Sequence, residues 1–445
     1  MHSPRSRTRL ILLFVCVLIY AGTVLAVGAY RARTDQSSTS DFDDFYLTAK
    51  HFRQTGQLVD TYGVHNYLPF FVLLMTPFSF LPITVASVVF NGLSLGGFLL
   101  SVRLIDGWMI SGDTEARGPP VWLRIGATVG MVLVYVTGCL VIGQMALFTL
   151  TMLVFVWQSV ETRHPGAGGF WLALAISTKV YPAVLILFFL LKRQWLLVFS
   201  TAAWLVVMNA ILPTAALGVG ASRQAYVEFW HQSVLGQSSQ RLAVIDSNKM
   251  SYTNQSAAIV ARRLTHPTDS GVDQPDGSPR FINVVNWDAT PVGIGPLRMA
   301  PVQWLLWGFQ GLAVLCAVGV CRHGMRRISM ARARHEFAAF VVLSLLLSPI
   351  VWSFYYSVCY LPLALVNRHG LEQWRGGAPP DGLLGHRRLL VVARGGRRDF
   401  VRSDVRRSPV RPRDPLRGTA GIGGSARPTP VSGGWPAPPG WYRVL

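Results

Sequence analysis

Charge is scarce in this chain. Of its 445 residues only 14% are Asp, Glu, Lys or Arg, and the acids number 21 against 41 Lys and Arg. Cysteine is also rare. The five are Cys16, Cys139, Cys316, Cys321 and Cys359, all in or beside apolar stretches, with no CxxC spacing and no histidine cluster. They read as small buried hydrophobes, not as a disulfide framework or a thiolate metal site. No P-loop, GxGxxG after a strand, HExxH or nucleophile elbow occurs, so soluble nucleotide chemistry has no footing. Helix-turn-helix, zinc-finger and RNA-binding signatures are missing too.

What is present is apolar. The chain is 51% hydrophobic, with a mean hydropathy of +0.37. A soluble globule could not hide so much apolar surface, and an all-α polytopic membrane protein is the expected fold class. The formal charge of +20 does not imply a nucleic-acid partner. From Arg368 to the end, fifteen Arg face five acids. Much of the remainder lies in short segments between apolar spans, where Lys and Arg mark the cytoplasmic side.

The first charge-free stretch, residues 10–30, follows Arg5, Arg7 and Arg9. Its length suits a bilayer crossing. A cleavable signal peptide is the rival, and a retained signal-anchor is preferred because further spans follow. The basic start puts residue 1 in the cytoplasm and residues 31–66 outside. Residues 67–81, broken by Pro69 and Pro77, read as a re-entrant or partial helix. Further spans are expected at 82–104, 121–142, 145–160, 168–191, 195–217, 302–321 and 337–366.

Lys179 and Pro182 interrupt the 168–191 span. One crossing would place Lys192-Arg193 outside. Two half-helices turning near Lys179 would place that pair inside, with the loop 218–300 on the same outer face as 31–66. The second arrangement also puts Arg322, Arg326, Arg327, Arg332 and Arg334 inside, so it is preferred. After about residue 367 the chain becomes rich in Arg, Gly and Pro without periodicity. Two domains follow: a membrane domain over 1–366 and a 367–445 tail. The tail's composition is that of disorder, and equally that of a GC-rich gene read out of frame with its authentic terminal spans lost.

The acids worth attention are Asp41, Asp43 and Asp44, interleaved with Phe42, Phe45 and Tyr46. Acids at a membrane edge cost solvation unless wet, paired or at work. On a helix Asp41, Asp44 and Thr48 share a face. An N-cap from the serines at 37–40 with first-turn acids would suit the helix dipole, on a helix lying on the outer leaflet. The functional alternative is a general base acting on a hydroxyl. Three acids without ligand spacing make a poor metal site.

Lys179, deep in apolar sequence, reads as a cavity-facing group suited to a phosphate, with snorkelling as the alternative. In the 218–300 loop, Asn254-Gln255-Ser256 precedes Arg262-Arg263. Asn254 could cap a helix from 257, or the amides could meet sugar hydroxyls while the guanidiniums meet phosphate. Helices are expected there near 224–234 and 255–264. Gly143-Gln144 and Ser348-Pro349 with Trp352 mark external hairpin tips.

In this order these pieces resemble glycosyltransferase family 87, of the GT-C superfamily. The matching residues are Asp41-Phe42 with Phe45-Tyr46 and Ala49; Tyr67-Leu68-Pro69-Phe70 with Pro77; Gly143-Gln144; Lys179 with Pro182 and Lys192-Arg193; Asn254-Gln255-Ser256 with Arg263-Leu264; and Ser348-Pro349 with Trp352. The resemblance implies a GT-C-like helical bundle in the cell membrane with its active site on the extracytoplasmic side. It implies a polyprenyl-phosphate sugar donor, commonly mannose or arabinose, and inverting transfer to a glycan or glycolipid hydroxyl, with no cofactor. Asp41 would be the base, with Asp43 and Asp44 as fallbacks. Lys179, Arg263 and Arg262 would hold the donor phosphate. Tyr46, Gln144, Asn254, Gln255 and Trp352 would meet substrate. The family often has His after the Ser-Pro-x-x-Trp motif, where this chain has Phe354 and Tyr355. A transporter or flippase of lipid-linked sugars is the alternative; its polar groups would lie near mid-membrane.

Overall fold

The computed structural model describes residues 22–23, 26–27, 40–58, 67–110, 121–230, 254–265, 269–273, 279–281 and 299–374. The expected first span, apart from four helical residues, and residues 375–445 lie outside the described residues. The architecture is all-α. Among the described residues the one sheet is a short antiparallel pairing of Asp269–Asp273 with Pro279–Phe281. Four described helices are long and apolar enough to cross a membrane: Ile83–Met109, Val121–Ile142, Trp195–Leu217 and Gln303–Cys321.

Helix direction follows from side-chain contacts. Ser200 Oγ donates to the Gly166 carbonyl at 3.0 Å and Asn209 Nδ2 to Ser177 Oγ at 2.7 Å. The stretch from Trp195 therefore runs parallel to Pro165–Thr178. A tight turn at 192–194, with Arg193 at φ 55°, joins Val184–Leu191 to Trp195–Val206, so Val184–Leu191 runs the other way. The 165–191 segment thus folds back on itself at Lys179. Lipid gives helices no hydrophobic reason to associate, so close packing of small residues does the work. A Cβ on Gly169 would stand 2.5 Å from the Ser200 side chain and 2.7 Å from the Thr201 nitrogen. Only glycine lets these two backbones approach so closely.

The Trp195–Leu217 span contains a π-helical turn, Val207–Ile211. Pro213 has no N–H to give the Asn209 carbonyl, and the wider turn absorbs that break.

Basic side chains gather at one end of the bundle. Lys192 is fully buried; its Nζ donates to the carbonyls of Cys321 and His323, both at 2.9 Å, and pairs with Glu336. Arg332 holds the other Glu336 oxygen at 2.7 Å. Arg334 grips Glu161 with two nitrogens, at 2.7 and 3.1 Å, and reaches the Trp108 carbonyl. Arg124 pairs with Asp106 at 2.9 Å. These contacts bring Asp106, Trp108 and Arg124 together with the stretches 161–165, 192–194 and 321–336. A buried pair of this kind costs desolvation and is sound only when its remaining hydrogen-bonding capacity is met, as the two carbonyls and Arg332 do here.

The opposite end carries the acidic helix, Asp41–Thr55. Ser40 caps it by accepting from the Asp43 N–H at 3.2 Å, and Gly56 ends it in the left-handed region at φ 70°. The apolar face, with Phe42, Phe45, Tyr46 and Ala49 all buried, meets protein. Phe45 stands edge-on to Tyr67 and Phe71, each at 4.9 Å. A helix resting on the leaflet is therefore corrected to one docked on Pro69–Met75 and the following 3-10 turn, Thr76–Phe80. Alternation of apolar and polar residues cannot tell lipid from protein as the covering surface. In the large loop the helix expected near 224–234 is found earlier, at Val219–Phe229, with 231–234 outside the described residues, and the one expected at 255–264 is found at Ala257–Thr265. The last described helix, Tyr360–Trp374, runs on past residue 366.

Candidate active site

The turn at Lys179 is the centre of the acidic end. The Pro165–Thr178 helix stops there because Lys179 is extended (φ −147°, ψ 122°), ahead of Pro182 in the 3-10 turn Tyr181–Ala183. The Lys179 side chain is 8% exposed. Its Nζ donates to Tyr67 Oη at 2.5 Å and Tyr355 Oη at 2.6 Å. It also sits 3.9 Å from the Tyr67 ring centroid and 4.9 Å from that of Tyr355. Two phenols thus hold an ammonium that apolar surroundings alone would not tolerate.

Asp41 lies within the field of Lys179. Burial pushes its carboxyl up to about 6, and the Lys179 ammonium pulls the other way. Burial likewise pushes Asp44 up to about 7, with the charges of Asp41 and Asp43 adding to the shift. One Asp44 oxygen is buried without a hydrogen-bond partner. Asp43 is buried and its backbone N–H takes the Ser40 cap. Asp41 is therefore a carboxylate at neutral pH, yet basic enough to take a proton.

The tip at Gly143-Gln144 packs directly against this helix. Gly143, at φ 75°, closes the Val121–Ile142 helix, and its N–H and that of Gln144 both reach the Cys139 carbonyl at 2.9 and 2.8 Å. A Cβ at Gly143 would stand 2.4 Å from the Phe42 Cβ. Gln144 is fully buried with its Oε1 unpartnered. An amide oxygen in that state is a ready acceptor for a ligand hydroxyl.

Asn254 and Trp352 form an isolated antiparallel bridge. The Gln255 N–H donates to the Val351 carbonyl at 2.5 Å, and Asn254 Oδ1 accepts from the N–H groups of Ser256 and Val351 at 3.1 and 3.3 Å. Asn254 is thus not the cap of the following helix. Ser256 is, its Oγ accepting from the Ile259 N–H at 3.4 Å. From Trp352 the chain enters the 3-10 helix Ser353–Cys359, which carries Tyr355 to Lys179 and whose Phe354 carbonyl accepts from Cys139 Sγ at 3.3 Å. The motifs near 143, 179, 254 and 352 are tied into one assembly.

Tyr46 is buried and its hydroxyl donates to the Leu81 carbonyl at 2.8 Å. The side chains of Arg262 and Arg263 lie outside the described residues. Among the described residues, no three His, Cys, Asp or Glu side chains converge as a metal-ligand set. Reading the sequence missed Tyr67 and Tyr355 as partners of Lys179. Tyr67 opens one matched motif and Tyr355 follows another, but hydroxyls 112 and 176 residues away leave no local signal. Beside the site, Phe70, Leu73 and Leu74 with Leu212, Ala215 and Ala216 line an apolar groove of about 430 Å³.

The fold and this site define a polytopic membrane protein with a half-buried acid, Asp41, and a buried lysine, Lys179, at one end of its bundle. The sequence model of glycosyltransferase family 87 matches residues 65–349, and the chain belongs to that family. The match covers Gln144, Lys179 and Asn254 and begins after Asp41. A polyprenol-phosphate-mannose-dependent alpha-(1-2)-phosphatidylinositol mannoside mannosyltransferase of Mycolicibacterium smegmatis is 26% identical over 324 residues, 68% of this chain and 61% of the relative. The protein of the same description from Mycobacterium tuberculosis is 26% identical over 321 residues, 70% of this chain and 62% of the relative. The chain thus spans about three fifths of the length of these curated relatives. No solved structure matches it.

Proposed function

We propose that the chain transfers a sugar, mannose first, from a polyprenyl-phosphate donor to a hydroxyl of a glycan or glycolipid on the extracytoplasmic face. The observation that carries this reading is that Lys179, held by the hydroxyls of Tyr67 and Tyr355, acts electrostatically on a basic carboxylate, Asp41, in a member of a glycosyltransferase family. The donor named for the relatives, polyprenol-phosphate mannose, suits that pair.

The chemistry balances without a cofactor. Asp41 takes the proton of the acceptor hydroxyl as its oxygen attacks the anomeric carbon. The bond from that carbon to the phosphate oxygen breaks, and its electron pair leaves with the polyprenyl phosphate, which needs no proton. Attack opposite the leaving group inverts the configuration. Lys179 steadies the phosphate charge. The apolar groove begins one turn after Tyr67, at Phe70, so a phosphate at Lys179 would leave its lipid chain beside apolar walls. Charge supports this orientation: Lys192, Arg193, Arg322, Arg326 and Arg327 belong to the end opposite Asp41, and an excess of Lys and Arg marks the cytoplasmic side.

The test is transfer from radiolabelled polyprenyl-phosphate mannose by membranes carrying the chain. Lys179→Gln should raise the donor KM by roughly 10- to 100-fold, the worth of one charge-assisted hydrogen bond. An unchanged donor KM removes Lys179 from the phosphate site. Sugar-lipid moved across vesicles with no transfer would instead support the transporter reading.

A further inference from the structure

On the acidic helix, Asp41, Asp44, Thr48 and His51 recur at helical spacing and form one stripe, set beside the face that Phe42, Phe45, Tyr46 and Ala49 bury. Three side-chain atoms along this stripe are buried without a hydrogen-bond partner: Asp44 Oδ1, Thr48 Oγ1 and His51 Nε2. Thr48 is 5% exposed. A buried polar atom without a partner keeps its full desolvation cost, so three in a row on one helix point to a polar guest that satisfies them.

The residue types indicate the guest. A carboxyl, a hydroxyl and an imidazole alternate acceptor and donor capacity, which matches neighbouring sugar hydroxyls, each of them both donor and acceptor. No Lys or Arg lies on the stripe, so it is not built for phosphate. At 1.5 Å per residue, Asp41 to His51 spans about 15 Å, longer than one hexose ring.

We infer that Asp44, Thr48 and His51 form a second sugar subsite, which holds the acceptor ring next to the one whose hydroxyl meets Asp41. This rests on the proposed transfer reaction and extends it: the acceptor is an oligosaccharide of at least two rings, laid along the helix.

The test is equilibrium binding to the purified full chain, with methyl α-mannoside and methyl α-dimannoside as probes. The wild type should bind the two-ring probe roughly tenfold or more tightly than the one-ring probe, the worth of one to two hydrogen bonds. Thr48→Val and His51→Phe should each cut that ratio about fivefold. Thr48→Ser, which keeps the hydroxyl, should preserve it. Because the Thr48 hydroxyl is unpartnered in the free protein, Thr48→Val should also leave the melting temperature unchanged or raised. Weaker binding with equal or greater stability separates a ligand role from a structural one. Equal affinity for the two probes, no measurable binding, or a ratio unmoved by both Thr48→Val and His51→Phe would overturn the inference. The transfer reading is judged separately. An inactive wild type that still prefers the two-ring probe would remove the reaction and keep the subsite.

Discussion

Replacing Gly143 by alanine should disturb both the fold and the chemistry, through two separable causes. The first is conformational: Gly143 sits at φ 75°, which costs an L-residue with a Cβ about 1–2 kcal/mol. The second is steric: the new Cβ would stand 2.4 Å from the Phe42 Cβ. Phe42 has nowhere to go, being 1% exposed with its ring 5.1 Å from that of Phe90. Overpacking of this kind costs ~1–3 kcal/mol, so the sum is roughly 2–5 kcal/mol. Relief would come by shifting the Asp41–Thr55 helix, which carries Asp41 away from Lys179. A displacement of about 1 Å at a reacting group can cost around 100-fold in rate. Thermal denaturation of the purified protein and the transfer assay read the two effects. Gly143→Asn separates the causes, because asparagine tolerates positive φ but still brings a Cβ. Asparagine should therefore recover no more than about 1 kcal/mol of the alanine loss. Wild-type stability and transfer in Gly143→Ala would refute the docking described here, and a neutral Gly143→Asn would show that the contact with Phe42 is not tight.

Three further outcomes follow from buried charge. The raised pKa of Asp44 means that the folded chain holds a proton there more tightly than the unfolded chain does. That stabilising contribution is full below about pH 4 and is lost as pH rises through about 7, so the wild type should lose stability over this interval and Asp44→Asn should show a flatter profile. Transfer itself should rise with pH through about 6, as Asp41 becomes a carboxylate, and a rate independent of pH between 5 and 7 would count against Asp41 as base. At the basic end, Glu336→Gln strands the fully buried Lys192 and should cost about 3–5 kcal/mol, read as a fall in melting temperature. Lys192→Met should cost less, because Arg332 still pairs with Glu336; the reverse order would contradict the network.

Several local features were legible in the residues. The break at Lys179 shows because a lysine and a proline interrupt an apolar run, and the count of Arg after residue 321 decides which way the chain turns. Ser40 as cap and a helix starting at the acids follow from the serine run and the early acids, whereas its end at Gly56 was not read. What stayed hidden is long-range. Lys192-Arg193 reads as a topology signal, yet Lys192 is a buried strut bonded across 144 residues to Glu336. The phenols that hold Lys179 come from just before the short Pro69–Met75 helix and from the 3-10 helix Ser353–Cys359, far from it in sequence. Asn254 has a cap-forming residue type, but a backbone strand 97 residues away takes its side chain and leaves the cap to Ser256. Pro213 sits inside an otherwise continuous span, and the π-turn before it and the contact of Asn209 with Ser177 leave no local signal.

The central claim is that Asp41 takes the proton from the acceptor. The most direct measurement compares sugar transfer from polyprenyl-phosphate mannose by the wild type, Asp41→Asn and Asp44→Asn, in membranes holding equal amounts of folded chain. Loss of a general base costs roughly 100- to 10,000-fold. A loss of that size is expected in Asp41→Asn and a much smaller one in Asp44→Asn. Transfer at the wild-type rate in Asp41→Asn would contradict the claim.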